Sequence, residues 1–127
     1  MIKWLDDVVE DDYKAAENYL TLLLDGMRAK QVVNTLRTGK ITHRRANDIL
    51  RAAYREPLTE SDPGVASTRK HLAQGKELSP VLLVSFDHSG DIADGYHRVS
   101  AAYNDDPFDT VPCRIAEVPW LVSRPRV

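Results

Sequence analysis

Residues 80–103 read PVLLVSFDHSGDIADGYHRVSAAY, and the order of patterns in this stretch predicts a strand, a hairpin and a helix. The apolar run 81–86 is too short for a helix and rich in strand-forming residues, so it predicts a buried strand. Turn residues at 87–90 separate it from a second short strand, predicted over 91–94. The two strands predict one hairpin of a small sheet.

The hairpin turns sharply at Gly95 into a helix predicted over residues 97–103. The first amide groups of such a helix have no partner within the helix and attract anions. Gly95 permits a positive φ and the close approach of a ligand. The planar fork of Arg98 matches phosphate oxygens, and His97 adds another donor. The junction therefore predicts either an anion-binding site suited to phosphate groups, or an ordinary capped helix start with His97 and Arg98 exposed or salt-bridged.

Asp94 precedes the glycine of this turn and is the candidate catalytic carboxylate. Its negative charge excludes direct phosphate binding, and the preferred role is a cap on the following helix. A magnesium ligand and a general base are the alternatives.

The turn needs a second wall to bind a ligand tightly. Two or three charge-assisted hydrogen bonds, about 1.5–3 kcal/mol each, must offset an association cost of about 4 kcal/mol or more. The loop 57–63 and the helix predicted over residues 65–73 are the expected sources of that wall. On this helix, Thr68 and Lys70 are the candidate ligand-binding residues.

Two helices are predicted at the N-terminus. The first runs from a cap at Asp11 or Asp12 to about Asp25, where Gly26 stops it. The second occupies residues 27–37, and the two form an N-terminal helical pair.

Residues 41–54 fit two descriptions, a helix capped by Thr42 or a short strand leading into a turn, and their periodicity favours the helix. Residues 111–116 alternate and predict another strand, whose prolines imply an edge position or a strand start. The predicted class is α+β, a helical pair followed by a small mixed sheet with helices. One domain is expected over residues 1–127, with a helical extension over 1–40 and a core over about 41–118.

The composition is that of an ordinary globular protein, with 43% hydrophobic and 28% charged residues. Cys113 is the only cysteine, which excludes an intramolecular disulfide and a cysteine-only zinc site, and no metal site is predicted. No signal peptide or membrane span is recognised, so a cytoplasmic protein is expected. Cys113 itself is interpreted as a small buried side chain.

A basic stretch between Arg28 and Arg55 stands out against the net charge of −2. Its ordinary interpretation is a solvated helical face, or a surface that docks the acidic first dozen residues. Binding of nucleic acid through this stretch is a minority alternative, because Tyr54 is its only aromatic residue and bases need stacking partners.

From about Leu58 to Val118 the chain resembles the ParB/sulfiredoxin-like superfamily. The residues that carry the resemblance are Pro80-Val81-Leu82-Leu83-Val84, Asp94-Gly95-Tyr96-His97-Arg98-Val99-Ser100-Ala101-Ala102-Tyr103 and Val111-Pro112-Cys113-Arg114. In that superfamily the corresponding turn binds the phosphates of a nucleotide. The nucleotide is ATP in sulfiredoxins, CTP in ParB proteins, and ADP or ATP in a free-serine kinase branch. The resemblance implies that Gly95, Tyr96, His97 and Arg98 bind ATP, CTP or another nucleotide, with or without magnesium.

Two departures narrow what the resemblance implies. Tyr96 stands where sulfiredoxins have their catalytic cysteine, so their chemistry is not expected. Tyr96 and His97 replace the first two residues of the Glu-Arg-Arg motif of partition proteins, and no helix-turn-helix domain follows within this sequence. A small phosphotransferase or nucleotide hydrolase is expected. The alternative is a non-catalytic module that binds a nucleotide or other phosphorylated molecule and contacts a protein partner, or itself, through the N-terminal helices.

Overall fold

The structure, a computed structural model, describes residues 2–87 and 89–118. Within these ranges it holds five helices and a four-stranded sheet, which confirms the α+β class. The elements are α1 Glu10–Leu20, α2 Gly26–Thr38, β1 Thr42–Arg45, α3 Ala46–Ala52, α4 Pro63–Ala73, β2 Val81–Ser85, β3 Gly90–Asp94, α5 Tyr96–Asp105 and β4 Thr110–Glu117.

The sheet has the strand order β1-β4-β2-β3 and is mixed. Strands β2 and β3 form the predicted antiparallel hairpin, β1 is antiparallel to β4, and β2 is parallel to β4. The predicted edge position of the last strand is wrong, because β4 lies between β1 and β2. Its Pro112 is tolerated near the strand start, since pairing with β2 begins one residue later, at Cys113.

Both faces of the sheet are covered by helices. Leu82 and Val84 of β2 pack in one buried cluster with α1 and α2, whereas Val81 and Leu83 pack in the other with α3 and α5. Successive strand residues point to opposite faces, so a strand buried on both sides is apolar throughout. This explains the unbroken apolar run, and it places α1 and α2 against the sheet.

The N-terminal helices begin and end differently from the prediction. Helix α1 ends at Leu20, and Val9 is its N-cap residue, with no side-chain cap hydrogen bond, so the predicted caps Asp11 and Asp12 are wrong. Asp25 instead caps α2, where its carboxylate accepts a hydrogen bond of 2.9 Å from the Arg28 amide. Gly26 is consequently the first residue of α2 and not the stop of α1.

Both descriptions of residues 41–54 prove partly right. Residues 42–45 pair with β4 as strand β1, and a helix follows over Ala46–Ala52. The apolar periodicity of the segment is therefore helical, but Thr42 does not cap the helix, because it lies in the strand.

The next helix, α4, begins slightly earlier than predicted, since Pro63 occupies its first turn and Asp62 caps it. None of the helices in the described ranges is long and apolar enough to cross a bilayer. The sequence assigns no element from Pro119 onward, and those residues lie outside the described part of the chain.

Candidate functional site

The first turn of α5 begins at Gly95, which has a φ of 114°. Gly95 has no side chain, and no other described side chain caps this turn. The predicted cap role of Asp94 is wrong, because its carboxylate Oδ2 turns to Arg98 and accepts a hydrogen bond of 3.0 Å from Nη2. The amides at the start of α5 thus keep their capacity to bind an acceptor from outside.

Packing also requires glycine at this position. A Cβ atom added to Gly95 would lie 2.5 Å from Val81 Cγ1 and 2.8 Å from Arg98 Nη2. Both distances are well below van der Waals contact. The backbone at Gly95 therefore fits closely between β2 and the Arg98 guanidinium.

A cleft of about 560 Å³ opens in front of this turn and is bounded on its other side by α4; we call it the α4–α5 cleft. Its walls bring together most of the predicted site residues with residues from the N-terminal segment and from the chain before β2. They are Leu5, Val9, Gly64, Ser67, Thr68, His71, Glu77, Leu78, Ser79, Asp94, Gly95, His97 and Arg98.

His97 joins the N-terminal ends of the two helices. Its imidazole lies against Gly64, where an added Cβ would come within 2.7 Å of the ring carbon Cγ. Its Nε2 lies 3.5 Å from Oδ2 of Asp62, the carboxylate that caps α4 through the Gly64 and Val65 amides. The side chain of His97 is 53% exposed, so a ligand in the cleft can reach it.

Helix α4 presents one face to the cleft. Gly64, Ser67, Thr68 and His71 lie on it at spacings of three and four residues. Lys70 does not line the cleft, because its place on the helix turns it to another, exposed face. Ser67 lies on the helix that was expected to form the second wall, whereas His71 was missed, although helical spacing from Thr68 could have identified it.

The side chain of Tyr96 points away from the cleft. Its hydroxyl donates a hydrogen bond to the Glu56 carbonyl, and the Arg55 guanidinium lies 5.5 Å from its ring centroid. Tyr96 therefore does not line the cleft, and a ligand there would not contact its phenol.

The loop predicted as a second wall also lies elsewhere. Within it, the Leu58 amide donates to Ser100 Oγ and the Leu58 carbonyl accepts from Asn104, both at 3.0 Å. These bonds attach the loop to the side of α5, so α4 forms the wall.

Arg98 is held by two carboxylates. Its Nη2 lies 3.0 Å from Asp94 Oδ2 and its Nη1 lies 3.2 Å from Asp12 Oδ2 on α1. The exposed fractions of the three side chains are small: 17% for Arg98, 22% for Asp94 and 14% for Asp12. The Asp12 oxygen has no well-aligned hydrogen bond, so charge attraction holds it. Asp12 was missed, since nothing in the sequence links α1 to this turn.

The environment of Asp94 disfavours its charged form. Burial raises the pKa of Asp94 above its ordinary value, Arg98 opposes that rise, and the neighbouring Asp12 adds to it. One guanidinium thus faces two carboxylates. Asp94 is protonated more easily than a free aspartate. A carboxyl group of this kind is suited to proton transfer nearer to neutral pH.

Cys113 has the properties of a structural side chain. It is fully buried among the apolar residues beneath α3 and α5. Burial also raises the pKa of its thiol, so little of the nucleophilic thiolate is present at neutral pH.

Half of the eight basic residues between Arg28 and Arg55 lie within 4 Å of a carboxylate oxygen. The pairs are Arg28–Asp25, Arg37–Glu10, Arg51–Asp48 and Arg55–Asp91. The pair of Arg37 and Glu10, 2.6 Å apart, attaches α2 to α1 and agrees with docking of the acidic N-terminal residues.

Across residues 2–87 and 89–118, no three His, Cys, Asp or Glu side chains are grouped in a way that would hold a metal ion. Comparisons of the chain with protein-family models, with curated proteins and with solved structures find no match.

Proposed function

We propose that the α4–α5 cleft binds the phosphate groups of a nucleotide, ATP, CTP or another, and that the protein is a member of the ParB/sulfiredoxin-like superfamily. One observation carries the proposal: the uncapped first turn of α5, begun by Gly95, opens into a cleft that also holds His97 and Arg98. Helix N-termini with added cationic donors are recurrent phosphate sites.

Each wall of the cleft has a role in this proposal. The backbone at Gly95 permits close approach, and the amides that follow it bind phosphate oxygens together with His97. Ser67 and Thr68 on α4 supply hydroxyl groups for the sugar or for a second phosphate. The cleft volume of about 560 Å³ lies within the range of small-molecule sites, about 300–1,000 Å³.

The two carboxylates beside Arg98 affect whether the nucleotide binds with or without magnesium. Asp94 and Asp12 repel a bare polyanion, whereas they attract a nucleotide that carries magnesium. One or two carboxylates together with substrate phosphates are a common magnesium environment. Magnesium is therefore proposed as a companion of the nucleotide, held by Asp94 at the wall of the cleft.

If the protein is a phosphotransferase or nucleotide hydrolase, Asp94 is the proposed general base. It would take the proton of the acceptor hydroxyl or of the attacking water, and its raised pKa favours that step near neutral pH. If the protein is a non-catalytic module, the same cleft binds the nucleotide and no phosphate is released. Measuring phosphate or diphosphate release with ATP, CTP and GTP separates these two versions.

Binding is tested by thermal unfolding with ATP, CTP or GTP, each with and without magnesium. A ligand at 100 times its Kd adds about 2.7 kcal/mol, equivalent to a rise of about 10 °C in Tm for a domain of this size. His97→Ala is expected to reduce the rise without unfolding the protein, because the side chain is half-exposed.

His43→Ala on the exposed strand β1 is the matched control and should retain the full rise. No rise with any nucleotide, or an equal rise in both histidine variants, contradicts the proposal.

A protein-interaction role through the N-terminal helices is the second candidate. It is favoured by two large apolar side chains near the connection between α1 and α2, where Leu22 is 76% and Met27 is 73% exposed. Analytical ultracentrifugation of the protein and of Leu22→Ser tests self-association. A monomer at every concentration in both proteins removes the self-association version.

A further inference from the structure

Helix α3 ends in a backbone conformation that glycine usually provides. Tyr54 has a φ of 55°, and it is the non-glycine residue with positive φ among those described. The Arg55 amide donates a 2.9 Å hydrogen bond to the Leu50 carbonyl, the six-to-one bond of a Schellman motif, in which the left-handed position is most often glycine. A tyrosine there is strained relative to glycine.

Burial does not explain why a tyrosine occupies this position, because Tyr54 is 60% exposed. Strained backbone conformations of this kind cluster at ligand-binding sites. The ring of Tyr54 is therefore a candidate for contact with a ligand, and its surroundings indicate which kind.

Tyr54 lines a pocket of about 290 Å³ at the C-terminal end of α3; we call it the α3 pocket. Asn47, Arg51 and Tyr54 follow one another at helical spacing along one wall. Arg55 continues that wall, and Tyr103 of α5 contributes a second aromatic ring. The pocket thus combines two tyrosines, two arginines and one asparagine, with Glu56 as the one acidic residue among the described residues that line it.

The two arginines differ in how they are held. Arg51 pairs with Asp48 at 3.4 Å, and both side chains are more than half exposed, so the pair is weak and an incoming anion can replace it. The Arg55 guanidinium is held by two partners. Its Nη2 lies 3.6 Å from Asp91 Oδ1 and donates a 3.3 Å hydrogen bond to the Tyr19 hydroxyl. One guanidinium is therefore free to move toward a ligand and the other is positioned in advance.

We propose that the α3 pocket binds a nucleoside monophosphate, independently of the α4–α5 cleft. The base stacks on Tyr54 and Tyr103, the Asn47 amide contacts its polar edge, and Arg51 pairs with the phosphate. Tyrosine rings and arginine planes are the usual stacking partners of unpaired bases, and arginine matches phosphate geometry. The volume of about 290 Å³ lies at the lower end of the range of small-molecule sites, about 300–1,000 Å³, which suits a mononucleotide.

Titration of ¹⁵N-labelled protein with AMP, GMP, CMP and UMP, followed by two-dimensional NMR, locates the binding. The expected result is saturable shifts at the amides of Arg51, Tyr54 and Tyr103 with at least one nucleotide. Shifts confined to the Gly95 turn would overturn this proposal while supporting the α4–α5 cleft. No shift at any of the three amides at millimolar nucleotide would also overturn it, as would shifts there with a short single-stranded oligonucleotide alone.

Two substitutions of Tyr54 separate the ring from the backbone strain. Tyr54→Ala removes the ring and keeps the strain, whereas Tyr54→Gly removes both. Both should weaken mononucleotide binding at least fivefold, since stacking on an aromatic ring is worth that much. Only Tyr54→Gly should raise Tm, and Tyr54→Phe should bind like the native protein. An unchanged Kd in Tyr54→Gly contradicts the proposal.

Discussion

Gly95→Ala tests the close fit of the turn at the start of α5. The new methyl group would meet Val81 Cγ1 at 2.5 Å and Arg98 Nη2 at 2.8 Å, and the backbone would keep a φ of 114°. Val81 is fully buried, so it has little room to move. The substitution therefore combines two costs, backbone strain and overpacking.

The two costs can be given magnitudes. A non-glycine residue in a sparsely populated region of positive φ costs about 1–3 kcal/mol, and one extra methyl in a packed site costs about 1–3 kcal/mol. The total is about 2–6 kcal/mol, a large part of the roughly 5–15 kcal/mol that stabilises a domain. At about 4 °C per kcal/mol, Tm should fall by about 8–24 °C.

Two other glycines provide matched controls. Gly75 has a φ of 81° with nothing within 4 Å of an added Cβ, so Gly75→Ala should show the strain alone. Gly26, in the first turn of α2, also has open space, and Gly26→Ala should be neutral or stabilising by up to about 1 kcal/mol.

Urea unfolding of the three variants measures the difference. If Gly95→Ala lies within the error of Gly75→Ala, the close approach of β2 and Arg98 to the turn is refuted.

Two further substitutions probe the same site. Burial raises the pKa of Asp94 above its ordinary 3.8, so the charged form of its side chain is disfavoured in the folded state. The free energy of unfolding therefore falls as the pH rises through the raised pKa of Asp94. Asp94→Asn should therefore unfold at higher urea than the native protein at pH 8, and the advantage should disappear toward pH 4; a deficit that grows with pH contradicts this sign. Gly64→Ala should displace the half-exposed His97 ring with a stability change below about 1 kcal/mol, since alanine is favoured within a helix. Calorimetry should show nucleotide affinity falling by about tenfold or more, the worth of one charge-assisted bond, and unchanged affinity would remove His97 from the site.

The elements around the candidate site were largely predictable from local patterns. The apolar run of β2, the hairpin and the helix after Gly95 each depend on residues adjacent in the chain, and each is present. The junction itself was predictable for the same reason, because a strand, a glycine and a helix determine where the first-turn amides lie. Thr68 was predicted only as one residue of the helix that forms the wall, and it lines the cleft.

What local patterns did not predict are contacts between distant segments. Asp12 reaches Arg98 only because α1 packs against the sheet beside β3, a tertiary arrangement with no local signature. Tyr96 follows Gly95 directly, but its hydroxyl donates a hydrogen bond to the Glu56 carbonyl and its ring lies beside the Arg55 guanidinium. Lys70 differs from Thr68 by two residues, about 200° around a helix, and so faces elsewhere.

Residues that favour helix caps were not enough to predict where the helices begin and end. Asp11 lies inside the first turn of α1, whereas Asp25 precedes α2 and caps it, because its carboxylate accepts a hydrogen bond from the Arg28 amide. Likewise Thr42 is a good cap residue that pairs with β4 instead.

The central claim is that phosphate groups bind at the first turn of α5. Titration of ¹⁵N-labelled protein with magnesium and ATP or CTP, observed at the amides of Gly95, His97 and Arg98, tests it most directly. We predict saturable shifts at these three amides, weakened in His97→Ala and retained in His43→Ala. Saturating nucleotide that leaves all three amides unmoved contradicts the claim.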